Sequence, residues 1–183
     1  MTVDVGESVD PLAGVRGDAV VVLIGAPASG KTTLRERLLA QHPATPVLSL
    51  DDERAALRER DLRAGRPPRD LQDYSPAALH RCTEAARALL AEGRGYLADA
   101  THLRRKERVA HVRAAHRAGL AAVAVLLPDL PVAVLAERNA PRAEPRRVPE
   151  DAIARHAHRR SLLDARMLLE EGFDQVVEVP AEA

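Results

Sequence analysis

The stretch that decides the fold runs from Ala19 to Thr32 and reads AVVVLIGAPASGKT. Its first six residues, Ala19–Ile24, form a continuous apolar run rich in β-branched side chains, which is typical of a strand buried on both faces. The next eight, Gly25–Thr32, fit the pattern G-x-x-x-x-G-K-[ST]. A helix is expected to follow from Lys31 to about Gln41. The stretch therefore predicts a strand, a glycine turn and a helix in direct succession.

The residues of this turn suit the phosphates of a nucleotide. Gly25 and Gly30 let the backbone turn tightly so that successive N–H groups point at phosphate oxygens, and the helix N-terminus adds its positive dipole end. Lys31 would reach the β- and γ-phosphates, and the Thr32 hydroxyl would ligate Mg²⁺. A chance lysine is improbable here, because the chain has only one other, Lys106. The candidate nucleotide-binding residues are Gly25, Ala28, Ser29, Gly30, Lys31, Thr32 and Thr33.

Outward from the turn, strands and helices alternate. Further strands are predicted at Pro46–Leu50, Gly95–Asp99, Leu120–Leu127 and Gln175–Val179. Helices are predicted at Glu53–Arg63, Ser75–Glu92, Arg104–Ala118, Pro131–Arg138 and Glu150–Glu171. Five apolar strands separated by helices indicate an α/β fold with a parallel sheet covered on both faces. We expect a flexible leader over residues 1–17 and a single domain over residues 18–183.

Composition excludes several classes of protein. The chain has 183 residues, 46% of them hydrophobic, and its 27 basic and 27 acidic residues cancel, which excludes a large basic surface. One cysteine excludes a disulfide framework and a multi-cysteine zinc site, and the seven histidines show no metal-ligand spacing and are expected at the surface. No apolar run is long enough to span a membrane, and the acidic first residues do not resemble a signal peptide. A cytoplasmic location is expected.

Carboxylates follow the second and third predicted strands, at the edge where open α/β sheets bind ligands. Asp51 or Asp52 could accept the proton of an attacking hydroxyl, or could cap the next helix, and Arg54 could hold an anionic group of the acceptor. Asp99 could orient Mg²⁺ or its waters, or could cap the helix that begins near Arg104. The residues alone leave these alternatives open.

An arginine-rich segment follows the fourth strand. Arg138 and Arg142 are four residues apart and precede further arginines and prolines up to Pro149. A mobile segment of this kind suits a lid that places arginines on the transferring phosphoryl group. The alternative is a solvated charged loop. The guanine-reading N-K-x-D pattern is missing, and no acidic pair follows the third strand, which leaves a small kinase-like fold with an Arg-rich lid as the interpretation.

Four stretches in order resemble the P-loop kinase domain of polynucleotide 5′-kinases, both phage-type and bacterial RNA-repair enzymes: GAPASGKTTL, LSLDDERAALR, LADATHLRRKER and ERNAPRAEPRRVP. The resemblance implies the strand order 2-3-1-4-5, Asp51 as general base and Arg54 as the ligand of an acceptor phosphate. It also implies that Arg138 and Arg142 contact the phosphates of the donor. His102 stands where the family's D-x-T-N signature has Asn.

The resemblance implies an ATP- and Mg²⁺-dependent kinase that phosphorylates the 5′-OH of RNA or DNA. Lys31, Asp51, Arg54, Arg138 and Arg142 would be its catalytic residues, and Thr32 and Asp99 its metal ligands. Aromatic residues make up only 2% of the chain, which leaves few rings for base stacking. The alternatives are a small-molecule kinase, acting on a sugar, an antibiotic or a nucleotide-sugar as zeta-type toxins do, and a non-enzymatic ATP-binding module.

Overall fold

The computed structural model describes residues 12–143 and 147–181. At its centre lies a sheet of five parallel strands in the order β2-β3-β1-β4-β5, so the strand that precedes the glycine turn is the middle one. The strands are β1 (Val20–Ile24), β2 (Val47–Ser49), β3 (Tyr96–Asp99), β4 (Ala122–Leu126) and β5 (Gln175–Glu178). The α/β class and the strand order expected from the sequence are both confirmed.

Helices connect the strands and cover the sheet. They are α1 (Lys31–Gln41), α2 (Leu50–Arg63), α3 (Ser75–Ala91), α4 (Arg105–Arg117), α5 (Val132–Asn139), α6 (Glu150–Ser161) and α7 (Ala165–Glu170), with a short 3-10 turn at Leu71–Tyr74. The helix predicted over Glu150–Glu171 is in fact two helices. The carboxylate of Asp164 accepts a hydrogen bond of 2.8 Å from the Met167 backbone N–H and so starts a new helix.

Both faces of the sheet are buried because β1 sends alternate side chains in opposite directions. Val20, Val22 and Ile24 pack in one apolar cluster, which includes Val112 of α4 and Leu168 of α7. Val21 and Leu23 belong to the opposite cluster, together with four leucine and valine side chains, Leu34 and Leu38 of α1 and Leu12 and Val15 before the first strand.

The leader expected over residues 1–17 is corrected in part by this packing. Leu12 is fully buried and Val15 nearly so, because both cover one face of the sheet, so the chain is anchored well before β1. Residues 1–11 lie outside the described part of the chain.

The topology brings the candidate residues together. In a parallel sheet the carboxyl ends of all strands lie at one edge, where the glycine turn after β1 meets the residues that follow β2 and β3. Within residues 12–143 and 147–181, no helix is both long and apolar enough to cross a bilayer.

Candidate active site

The turn between β1 and α1 requires glycine at two positions for different reasons. A Cβ on Gly25 would lie 2.7 Å from the Ser29 Oγ and 2.9 Å from the Leu127 Cβ, so a side chain there would displace the turn. Gly30 has a φ of 103°, a left-handed conformation that side chains with a Cβ resist. Ala28 adopts a φ of 63° without being glycine, and such local strain is commonly stored at functional sites.

The first turn of α1 has the properties of an anion site. Its N-cap, Gly30, supplies no side-chain cap, and the first turn holds no acidic residue, so the helix dipole is uncompensated. Ser29 is buried, and its Oγ has no hydrogen-bond partner among the described residues. A buried hydroxyl without a partner is costly, and a phosphate oxygen would supply the missing one. The turn therefore fits a nucleotide phosphate.

Lys31 folds back over this turn. Its Nζ donates hydrogen bonds of 3.1 Å to the Gly25 carbonyl and 2.6 Å to the Ala26 carbonyl. Burial lowers the pKa of Lys31 to about 8, an effect that Asp99 and Asp51 oppose. A desolvated ammonium ion held by neutral carbonyls is a strong attractor for the negative charge of phosphates.

Asp51 and Arg54 form an ion pair in the first turn of α2, which begins three residues earlier than predicted. The Arg54 Nη1 lies 2.5 Å from the Asp51 carboxylate, and the Arg54 Nε donates to the Ser75 Oγ at 3.0 Å. Arg54 is largely buried, whereas the Asp51 side chain is 88% exposed and remains accessible to an acceptor. Neither aspartate caps the helix, since the Ser49 Oγ accepts the hydrogen bond from the Asp52 N–H.

Asp99 ends β3 next to the glycine turn, and its side chain is 14% exposed. Burial raises the pKa of this carboxyl group, and a hydrogen bond from Arg35 opposes the rise. The expected alternative, a cap for α4, is not observed, because no side chain caps that helix at Arg104. Asp99 instead pairs with Arg35 of α1 at 3.0 Å.

The oxygen donors near the turn fit Mg²⁺ rather than a metal held entirely by protein. Thr32 and Thr33 lie exposed in the first turn of α1, and the Asp99 carboxylate lies near Lys31. Mg²⁺ usually takes one or two protein oxygens and completes its shell with waters and substrate phosphates. Accordingly, the described residues contain no group of three or more acidic, histidine or cysteine side chains that could hold a metal alone.

The two arginines expected in a lid are placed differently. Arg138 is exposed on the last turn of α5, and Arg142 lies close enough to Lys31 to lower the pKa of that lysine. The side chain of Asn139 is buried and exchanges two hydrogen bonds with the backbone of Val148, at 2.9 and 3.1 Å. These bonds hold Asn139 and Val148 next to each other. Residues 144–146, including Arg146, lie outside the described part of the chain.

Near the turn, one residue was not predicted from the sequence and the placement of another was predicted wrongly. Arg35 was not singled out, although it lies four residues after Lys31 and so shares its helix face. His102, expected at the surface with the other histidines, is buried: its Nδ1 bonds the Leu23 carbonyl at 2.8 Å, and its backbone has a φ of 43°. Its own carbonyl accepts a hydrogen bond of 3.0 Å from the buried Arg108.

The sheet order, the glycine turn and its lysine together define a P-loop NTPase-like kinase fold. Residues 20–163 match the family model described as AAA domain (AAA_33), and the chain belongs to this family. No curated protein matches the sequence significantly.

The solved structures to which this chain is similar include two that are described as kinases. A gluconokinase from Sinorhizobium meliloti 1021 has 24% identity and a TM-score of 0.52, with 92% of this chain and 86% of that chain covered. A putative kinase from Chloroflexus aurantiacus J-10-fl has 20% identity and a TM-score of 0.63, with 89% of both chains covered. The tunicamycin resistance protein of Deinococcus radiodurans has 16% identity and a TM-score of 0.47, with coverage of 77% and 79%.

Proposed function

We propose that this protein is an ATP- and Mg²⁺-dependent kinase that phosphorylates a hydroxyl group. The observation that carries the proposal is the phosphate turn, where the buried Ser29 hydroxyl lacks a partner among the described residues and the Lys31 Nζ lies over the Gly25 and Ala26 carbonyls. A phosphate-binding lysine, an accessible acid and a buried acid at one sheet edge are the parts that phosphoryl transfer needs.

Each residue has a role in this proposal. The backbone of the turn, the Ser29 hydroxyl and Lys31 bind the terminal phosphates of ATP, and Thr32 and Asp99 hold Mg²⁺, which neutralises charge on those phosphates. The acceptor oxygen forms a bond to the γ-phosphorus while the bond to the β–γ bridging oxygen breaks and ADP leaves. Asp51 takes the hydroxyl proton, and Arg142, with Arg138, offsets charge on the transferring group.

A small polar molecule is the acceptor class that the surface supports best. All three aromatic side chains of the protein are buried, with exposures of 2% for Tyr74, 1% for Tyr96 and 3% for Phe173. No phenylalanine, tyrosine or tryptophan ring is therefore available for stacking on nucleobases, and the net charge of zero gives no general attraction for a polyanion. The gluconokinase with the same fold is consistent with a hydroxylated small molecule.

The 5′-OH end of a polynucleotide is the second candidate, and one contact favours it. Arg54 is anchored to Ser75 of α3 and paired with Asp51, so a base and a phosphate-binding cation lie side by side as the Asp-x-x-Arg motif requires. An end-modifying kinase needs only such local contacts at the terminal nucleotide.

The test is phosphoryl transfer from labelled ATP to two sets of acceptors, a panel of sugars, antibiotics and nucleotide-sugars and a set of 5′-OH oligonucleotides. We expect transfer to a small molecule, and Asp51→Asn should lower kcat by about 10²–10⁴-fold while ATP still binds. Asp18→Asn is the matched control, because Asp18 is an exposed residue that precedes β1, at the sheet edge away from the turn.

The outcomes separate the candidates. Transfer to oligonucleotides alone would favour the second candidate, and ATP binding without transfer to any acceptor would favour a regulatory module. Wild-type kcat in the Asp51→Asn variant would reject Asp51 as the base.

A further inference from the structure

Arg35 is the centre of an unexpected bridge of ion pairs, which links α1 to α2 and to the end of β3. Its Nη1 lies 2.7 Å from the Asp52 Oδ2 and 3.0 Å from the Asp99 Oδ2, so one nitrogen contacts both carboxylates. The three residues come from three elements, α1, α2 and the end of β3. The Arg35 side chain is 26% exposed and that of Asp99 14%, so the contact is shielded from water on the Asp99 side.

The elements joined by this bridge carry the groups that must be correctly positioned relative to one another for the proposed reaction. α1 begins with Lys31 and the phosphate turn, β3 ends in the proposed metal ligand Asp99, and the first turn of α2 carries the proposed base. Arg35 lies one helical turn beyond Lys31 on the same face of α1. The Arg35 contacts therefore link the helix that carries the phosphate turn to the helix that carries the proposed base.

We propose that Arg35 is a positioning residue, which holds Asp52 against Asp99 and thereby leaves Asp51 as the aspartate that receives the acceptor proton. This inference rests on the proposed kinase function. The two adjacent aspartates differ in what their ion pairs connect. Asp52 is tied to another helix and, through Arg35, to a buried carboxylate. In the part of the chain that the structure describes, the ion pair of Asp51 lies along its own helix, with Arg54 at the i,i+3 position.

The difference in exposure explains why Asp51 is the freer group. Its side chain is 88% exposed, so its pair with Arg54 is largely screened by solvent and is weakly held. The Asp52 side chain is 55% exposed, and its carboxylate contacts the half-buried guanidinium of Arg35, which also contacts Asp99. The bridge therefore assigns different tasks to two residues that are neighbours in sequence and identical in chemistry.

The first arm of the test uses the nucleotide-free protein. NMR detects the guanidinium Nη–H groups of Arg35, assigned by their loss in Arg35→Met. We expect these signals to shift in Asp52→Asn and again in Asp99→Asn, because both carboxylates accept from the same nitrogen. Signals that respond to neither substitution would show that the bridge does not exist in solution and would overturn the inference.

The second arm measures the transfer reaction. Arg35→Met keeps an unbranched apolar stem and removes the guanidinium group with its charge, and we expect kcat to fall by about 10–100-fold, since small displacements of reacting groups are this costly. The KM for ATP should stay within about twofold, because the phosphate turn is intact. Arg35→Lys should retain most of the wild-type kcat, because a single ammonium nitrogen can contact both carboxylates.

Arg63→Met is the matched control for a lost arginine. Arg63 forms an ion pair with Glu59 at 2.5 Å on α2, but both side chains are exposed and lie at the far end of the helix. If kcat is unchanged in this variant but falls in Arg35→Met, the fall is due to the loss of the bridge and not to the loss of a positive charge in general.

Two results would overturn the inference while the proposed function stands. One is wild-type kcat in Arg35→Met, and the other is a loss of kcat in Asp52→Asn as large as that in Asp51→Asn, which would make Asp52 the base. Failure of the wild-type protein to phosphorylate any acceptor would instead remove the proposed function and this inference with it.

Discussion

The lysine of the phosphate turn shows how burial prepares a residue for its ligand. The Lys31 Nζ donates hydrogen bonds to the Gly25 and Ala26 carbonyls. Burial lowers the pKa of this ammonium group to about 8 from the 10.5 of a free side chain, although Asp99 and Asp51 oppose the shift. Phosphates would stabilise the charged form and raise this pKa again. Nucleotide binding above pH 8 should therefore be accompanied by the uptake of a proton.

We predict that ATP affinity falls by about tenfold for each pH unit above 8, since only the charged form of Lys31 favours the phosphates. Calorimetric titration at pH 7 and pH 9.5, in two buffers of different ionisation enthalpy, would measure both the affinity and the proton uptake. Lys31→Met should bind weakly with no change over this range. An affinity in the native protein that is constant from pH 7 to 9.5 would contradict the prediction.

The sequence predicts the phosphate turn well because its chemistry is local. Gly25, Gly30 and Lys31 act through their own backbone or through carbonyls five and six residues away, so one stretch contains the information. Arg35 was missed because its partners are 17 and 64 residues distant along the chain. Only the register of β2 against β3 brings those carboxylates together, and a local pattern does not encode it.

At the scale of the elements, the strands and their order follow from the sequence, whereas some helix boundaries do not. The start of α2 was placed three residues late because its cap is Ser49, at the end of a strand, and not one of the two aspartates. α6 and α7 were merged because the helical pattern continues across Leu162–Asp164, and the break depends on the Asp164 cap. A helix cap is a single hydrogen bond that does not depend on the spacing of apolar residues, so patterns of apolar residues do not detect it.

A buried ion pair joins α4 to the end of α7. Arg108 and Glu171 are 2% and 6% exposed in their side chains, and two hydrogen bonds of 2.7 and 2.5 Å link them. The remaining contact of the guanidinium is to the His102 carbonyl, in the segment that also meets the phosphate turn through the Gly25 N–H and the Thr101 carbonyl. The pair thus connects the outer helices to the base of the active site.

We predict that Arg108→Met destabilises the fold by about 3–5 kcal/mol, because it leaves the buried Glu171 carboxylate with only the long 3.9 Å contact to the exposed Arg105. Arg108→Met with Glu171→Leu should recover most of this loss, since two apolar side chains remove the uncompensated charge. Urea unfolding of the native, single and double variants measures both effects. A double variant no more stable than the single one would show that the loss is due to packing and not to the ion.

At the scale of the whole molecule, two buried histidines beneath the sheet edge link stability to pH. The rings of His102 and His111 meet edge to face with centroids 5.0 Å apart, and the Tyr96 hydroxyl hydrogen bonds the His111 Nδ1 at 2.9 Å. Burial lowers the pKa of His102 to about 3 and that of His111 to about 4. Both rings are therefore neutral in the folded protein at any pH near neutrality.

The sign of the effect follows from the proton balance. In the unfolded chain these histidines bind protons below about pH 6.5, and in the folded protein they do so only near pH 3–4. Between these values the unfolded state binds more protons, so stability is lost as the pH falls. From pH 7 to pH 5 we predict a loss of about 2 kcal/mol from His102 alone, and a further loss from His111.

Urea unfolding at pH 7 and pH 5 would measure this loss, and His102→Asn is the informative variant. Asparagine tolerates a left-handed backbone and keeps an N–H that can reach the Leu23 carbonyl, but it does not titrate. The variant should therefore lose less stability than the native protein between pH 7 and pH 5, whatever its stability at pH 7. Equal losses in the two proteins would mean that His102 is protonated in the folded state and that its burial does not hold it neutral.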